Sequence, residues 1–425
     1  MRKFLRDGAL LFSGNAWAQA VALAAHLLLT RLFTPENFAL YNVFFSYIET
    51  LVLLSTCKYE LAVVVAPTDR EAAAVSRLAL RLNAAVCLLL LTLIGLLLGF
   101  DAMPGRSNML GALALLIPPM VYFNGTSRIL TELFNRERRF RPIAVSEAVT
   151  ATVGTALKLL FGLLQRLGEA SLAFFSSAGM PLGTLLGRMV GNVNLRLRLT
   201  PRPRDLTRAE LRHAAHLHRN FPLFVMPKDL INSLSFNLPF LWLAHHFEAH
   251  EVGLYALALT IAFRPTNLVN GILERLFYVR MAERVRDRQP VLHDIRRFFL
   301  LLNAVALPLL VVAGLWAEPL CLFLFGSKWV GIGRYVRLLL PWMAIALTST
   351  SLMFVANVFG TQRVEFRFYI LLFCLRLAAL FAGLRLGNFY AAIALFAAAG
   401  TLVSGALLLW YAAQLRRYEH SLAST

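Results

Sequence analysis

Glu49, Lys158, Arg264 and Arg376 stand deep inside long apolar runs. A charge in hydrocarbon costs at least a few kcal/mol unless it faces water, a partner or a ligand, so these residues are where such a chain does its chemistry. Arg264 is followed by Pro265, which removes a backbone donor and favours a kink. A broken helix carrying a cation presents charge and freed backbone groups to an anionic ligand near mid-depth. Arg376 and Lys158 serve either such a ligand or internal acids. Glu49 is the one carboxylate near mid-depth, and Glu147 lies shallower. Desolvation drives a carboxyl there toward its neutral form, so Glu49 and Glu147 are candidates to take up and release a proton; the alternative for Glu49 is a structural partner of a buried cation. Asn15, Gln19 and His26 are spaced by four and seven residues and share one helix face, which either turns to an interface between halves or hydrogen-bonds a neighbouring helix. Lys58, Arg128, Arg188 and Arg337 lie nearer the ends of their runs, within reach of an interface by their long stems.

The elements that hold these residues follow from composition. Of 425 residues, 58% are hydrophobic and 15% charged, with a mean hydropathy of +0.64. A span takes roughly 20 apolar residues to cross about 30 Å of hydrocarbon. Apolar stretches bounded by charge, Pro or Gly predict helices near 9–31, 38–60, 82–100, 109–131, 143–165 and 170–191. A second set follows near 221–245, 252–274, 298–317, 334–355, 367–385 and 389–413. The expected fold class is therefore all-α integral membrane, with about twelve transmembrane helices and no room for a sizeable soluble domain. The basic start continues into apolar sequence as far as Leu29, which reads as a retained first helix. Cys57, Cys87, Cys321 and Cys374 show no CxxC spacing and read as small hydrophobes. The net charge of +19 sits in short clusters between apolar runs, so membrane lipids with anionic headgroups are the expected neighbours and nucleic acid is not.

The charge distribution orients the chain. If the N-terminus is cytoplasmic, the inner segments hold 28 of the 42 basic residues and the outer connections only Arg31, Arg106, Arg166, Lys328, Arg334 and Arg385. This predicts a multi-pass inner-membrane protein with both termini cytoplasmic. The halves also repeat. Phe33 to Tyr41 matches Phe247 to Tyr255, Leu115-Leu116-Ile117-Pro118-Pro119-Met120 matches Leu338-Leu339-Leu340-Pro341-Trp342-Met343, and Arg136 to Arg141 matches Arg363 to Arg367. The matches keep their order at an offset of about 220 residues, and an even number of helices in each half makes the repeats parallel. The predicted organisation is a six-helix lobe over 1–194, a basic cytoplasmic linker over 195–219 and a second six-helix lobe over 220–425. No phosphate-binding GxxxxGK[ST] loop, HExxH, CxxC or GxSxG motif occurs, so neither a cofactor nor an enzyme is expected.

Four short segments carry a family resemblance. Thr30 to Phe38, with its basic residue before a Pro-Glu pair, resembles the junction after the first helix of bacterial polysaccharide-transport proteins. Lys58-Tyr59-Glu60-Leu61-Ala62 followed by Asp69-Arg70-Glu71 is similar to their basic-Tyr-Glu segment and short acidic loop. Gly253-Leu254-Tyr255 and Leu324-Phe325-Gly326-Ser327-Lys328-Trp329 match in position and order. The chain thus resembles the oligosaccharide-flippase branch of the multidrug, oligosaccharidyl-lipid and polysaccharide exporter superfamily. The resemblance implies a V-shaped pair of six-helix bundles that flips a polyprenyl-pyrophosphate-linked glycan by alternating access, with undecaprenyl as the lipid and a polysaccharide polymerase as a possible partner. It implies substrate-binding cations on the first, second and eighth helices, here Arg31, Lys58 and Arg264. Arg376, Lys158, Asn15 and Gln19 join them from the residues alone, in a lumen expected to be mainly basic. The alternatives are a cation-coupled drug exporter of the same superfamily and a membrane polysaccharide polymerase or ligase.

Overall fold

The computed structural model describes residues 21, 24–99, 110–167, 174–200, 205–263, 281, 284–285, 287–359 and 361–423. No β-strand occurs among them. The chain forms two compact units, Met1–Leu241 and Trp242–Thr425.

In the first unit, residues 24–32 are helical and the chain then turns into α1 (Pro35–Thr56). Thr34 starts α1 because its backbone is extended, Pro35 supplies a preset φ, and the Asn37 carboxamide oxygen accepts from the Thr34 N–H at 3.0 Å. The sequence predicts one helix over 38–60. Instead α1 stops at Thr56, Cys57 and Lys58 take φ of 49° and 60°, and α2 (Tyr59–Val65) begins. Tertiary contacts hold this break: Lys58 Nζ lies 2.7 Å from Asp229, and the Tyr59 hydroxyl donates to the Ala215 carbonyl at 3.1 Å.

After α3 (Asp69–Gly99) come α4 (Ile117–Arg136), α5 (Phe140–Leu164) and α6 (Phe174–Leu197). Within 195–219 lies a short helix, α7 (Arg208–Leu217), followed by α8 (Met226–Leu241), which packs on α1. Glu210 closes a capping box with Thr207 and accepts from Arg70 Nε at 2.5 Å. Arg70 first and Thr207 second hold its carboxyl down at about 2. Its contribution is therefore present above the ordinary carboxylate range and disappears as pH falls through about 2.

The second unit contains α9 (Ala249–Phe263), α10 (Leu292–Leu315), α11 (Ala317–Phe325), α12 (Ile332–Ser351), α13 (Phe354–Val358), α14 (Gln362–Arg385) and α15 (Phe389–Ala423). The Leu324–Trp329 segment is a structural corner: Gly326 and Gly331 take φ of 97° and 92°, Trp329 is fully buried, and Glu318 accepts from the Gly331 and Gly333 amides at 2.6 Å each. Among the described residues, seven helices are long and apolar enough to cross a membrane. Only 11% of the most apolar stretch of α3 and 6% of that of α10 is buried inside the protein, so lipid is the solvent that such faces require.

Helix pairing within the units relies on small residues. Gly183, Gly187 and Gly191 repeat every four residues along one face of α6 and meet α5 at Thr150 and Gly154. A Cβ on Gly187 would stand 2.7 Å from both Gly154 Cα and the Thr150 carbonyl oxygen. In the second unit a Cβ on Gly383 of α14 would come within 2.2 Å of Ala392 Cβ on α15. Each contact joins two consecutive helices within one unit.

Gly187→Val should therefore lower the melting temperature of detergent-purified protein, because overpacking costs about 1–3 kcal/mol. Gly95→Val, with nothing within 4 Å of its Cβ, should melt like the parent. Equal melting of the two variants would sink the close-packing account.

Candidate functional site

A polar cavity of about 490 Å³ opens inside the first unit. Phe45, Ile48, Glu49 and Val52 face it from α1 at helical spacing, and the break after Thr56 turns Lys58 and Glu60 into it. From α4 come Asn124, Ser127, Arg128, Thr131 and Glu132, a polar stripe along an otherwise apolar helix. α5 contributes Glu147 and α6 contributes Arg188, placed by the glycine contact between those helices.

The Arg188 guanidinium donates from Nη1 to Glu147 Oε1 at 3.2 Å and to Ser127 Oγ at 3.3 Å, while its Nε is buried without a hydrogen-bond partner. Glu49 Oε2 accepts from Asn237 Nδ2 at 3.3 Å, and the Asn237 carboxamide oxygen accepts from Ser46 Oγ at 3.0 Å. Asn237 thus fixes Glu49 from α8. Glu60 is only 2% exposed, and its Oε2 is buried without a hydrogen-bond partner. Arg128 makes no ion pair among the described residues.

This cavity carries three cations (Lys58, Arg128, Arg188) and four carboxylates (Glu49, Glu60, Glu132, Glu147). The lining is therefore mixed, whereas the sequence suggested a mainly basic lumen; of its cations, Arg188 is paired by a cavity carboxylate, Glu147. Such a lining offers charge-assisted hydrogen bonds to an anion and acceptors to a hydroxylated one.

The sequence-predicted residues divide accordingly. Glu49, Glu147 and Lys58 meet at the cavity. Lys158 does not line it: its Nζ donates to the Tyr41 hydroxyl at 3.1 Å and sits 5.0 Å from that ring's centroid. Arg31 is exposed, its carbonyl accepting from Arg166 Nη2 at 2.7 Å. Arg376, in the second unit, is 3% exposed and lies between the Trp342 and Phe396 rings, 4.6 and 4.4 Å from their centroids. Asn15, Gln19 and Arg264 lie outside the described residues. Sequence reasoning passed over Arg128, Glu132 and Arg188. The three-and-four spacing of Asn124, Ser127, Arg128, Thr131 and Glu132 was the available signal for α4.

Apolar faces turned outward and a charged cavity held among helices describe an integral membrane protein, and known structures share this fold. The lipid II flippase MurJ in an inward closed conformation superposes with a TM-score of 0.74 at 11% identity, covering 94% of this chain and 87% of that one. An inward-facing multidrug resistance MATE family transporter of the MOP superfamily gives 0.67 at 14% identity, covering 95% and 96%. The Vibrio cholerae MATE transporter VcmN in its bent form gives 0.57 at 15% identity, covering 98% and 99%. Residues 28–333 match the family described as "Polysaccharide biosynthesis protein", and the chain belongs to that family. Comparison with curated proteins finds none that matches in sequence.

Glu147→Gln and Arg188→Gln should each destabilise the protein, and the double variant should be less destabilised than the sum of the two. The coupling should not exceed about 1 kcal/mol, because water in the cavity screens the pair. Thermal unfolding of the four proteins measures it, and strict additivity would mean the two side chains do not interact.

Proposed function

We propose that this protein flips polyprenyl-pyrophosphate-linked oligosaccharide units across the bacterial inner membrane by alternating access, for polysaccharide or lipopolysaccharide synthesis. The mixed-charge cavity, in a chain of the polysaccharide biosynthesis family, carries this reading. Lys58, Arg128 and Arg188 would receive the pyrophosphate, arginine by paired hydrogen bonds from its planar fork. The carboxylates and Asn124 suit the hydroxyls of the first sugars, and the undecaprenyl tail stays in lipid. The polysaccharide biosynthesis family, rather than the charge of the cavity, makes the drug-exporter reading the weaker one. Solved relatives named as a flippase and as multidrug transporters support transport over polymerisation.

The same proposal includes twelve spans in six-helix lobes over 1–194 and 220–425, cytoplasmic termini, and supply to a polysaccharide polymerase. It keeps Arg264 as a substrate contact and makes Glu49 and Glu147 the coupling acids. Glu49 suits that role because it is held by an amide, which tolerates either protonation state, whereas Glu147 is held by a cation.

Cells lacking the protein should accumulate lipid-linked units on the cytoplasmic side; accumulation of translocated single units would instead indicate a polymerase. Reporter fusions at Arg139 and Arg286 should report cytoplasm and one at Ala249 periplasm, and a reversed signal at Arg286 would overturn the parallel-repeat layout. Glu49→Gln should keep normal abundance while losing dependence on the pH gradient. Transport that retains that dependence in full would remove Glu49 as the coupling acid.

A further inference from the structure

Lys58 lines the cavity but is already occupied. Its Nζ lies 2.7 Å from Asp229 Oδ2, with side chains 12% and 30% exposed. Lys58 reaches this position from a left-handed backbone, φ 60°, after a residue that is also left-handed, Cys57 at φ 49°. Neither is glycine, and such conformations cost of order 1–3 kcal/mol each, so tertiary contacts hold them in place. Asp229 belongs to α8, which packs on α1, and it does not line the cavity. The acid therefore reaches Lys58 from outside the pocket that Lys58 faces.

We propose that Asp229 is an internal stand-in for the phosphate of the transported lipid. In the empty protein its carboxylate neutralises Lys58; an arriving phosphate takes the ammonium on the cavity side, and Asp229 is displaced. The displaced acid is not stranded, since its other oxygen lies 3.9 Å from Lys228 Nζ, a residue 55% exposed. Exchange of one anion for another keeps Lys58 paired throughout, which a cation among apolar helices requires. Exchange also loosens one of the ties between α8 and the α1–α2 break, leaving the Asn237 contacts with Glu49 and Ser46. Headgroup arrival is thereby linked to freedom of α8. Asp229 acts through Lys58 and is a positioning residue, and this role rests on the reading of the cavity as the headgroup site.

The test uses full-length protein in lipid nanodiscs with undecaprenyl pyrophosphate as the probe. Asp229→Asn should bind the probe about fivefold more tightly than the parent, the factor by which a half-exposed ion pair competes. Lys58→Ala should bind at least about tenfold more weakly, the loss of a charge-assisted hydrogen bond. Asp229→Asn should also melt lower than the parent without probe and equal to it at saturating probe. Unchanged or weaker binding by a folded Asp229→Asn overturns the proposal. The exchange variant Lys58→Asp with Asp229→Lys, which keeps the pair but moves the cation off the cavity, guards against an Asp229→Asn that does not fold. It should reach normal abundance and lose the probe; binding like the parent overturns the proposal. A parent protein that neither binds nor translocates the probe would instead remove the flippase reading itself.

Discussion

Charge in an apolar solvent is the constraint that the rest of this protein answers. In water the Lys58–Asp229 and Arg188–Glu147 contacts would contribute little, but among lipid-facing helices an unanswered charge is far more costly. The chain uses two kinds of answer. Arg376 is enclosed by the Trp342 and Phe396 rings, and Lys158 lies over Tyr41. Glu365 accepts from the Tyr411 hydroxyl at 2.5 Å, buried on both sides. Those charges stand away from the cavity. Lys58, Arg128 and Arg188 instead border a cavity that also holds four carboxylates.

Small residues make both answers possible. Gly183, Gly187 and Gly191 remove the side chains that would keep α6 from α5, and that approach brings Glu147 to 3.2 Å from Arg188. In the second unit Gly400 of α15 leaves room for the Trp342 ring, 2.8 Å from where its Cβ would be. That ring then covers Arg376. In each case a missing methyl group on one helix determines what a charged residue on another helix touches. A larger residue at either position would act on the charge without touching it.

Much of the helical layout was legible because hydropathy and flanking charge report it directly. The long apolar helices α3, α10, α14 and α15 were legible, although α1 begins at Pro35 where the apolar pattern suggested 38, and α3 at Asp69 where it suggested 82. The break at Cys57 and Lys58 was not legible, because no Gly or Pro marks it and Asp229, which holds it, lies far along the chain. Linear position gives the depth of a charge and not its azimuth. Arg128 and Arg188 therefore read as snorkelling residues although they face the cavity, and linear position gave no sign of the two rings that enclose Arg376. Glu49 and Glu147, chosen as isolated acids in apolar runs, do meet at one cavity. What each of them does there is a matter for the proposed mechanism.

The mixed lining bears on that mechanism more than a basic one would. A carrier has to bind on one side and release on the other, so attraction that is too strong halts it as surely as attraction that is too weak. A pyrophosphate facing three uncompensated cations in a low-dielectric space would be held tightly. Four carboxylates around the same cavity reduce the net positive field, and one of them, Glu147, pairs with Arg188. Acids outnumber cations four to three at this cavity, so an anionic headgroup would depend on Lys58, Arg128 and Arg188 as local hydrogen-bonding contacts rather than on the net field.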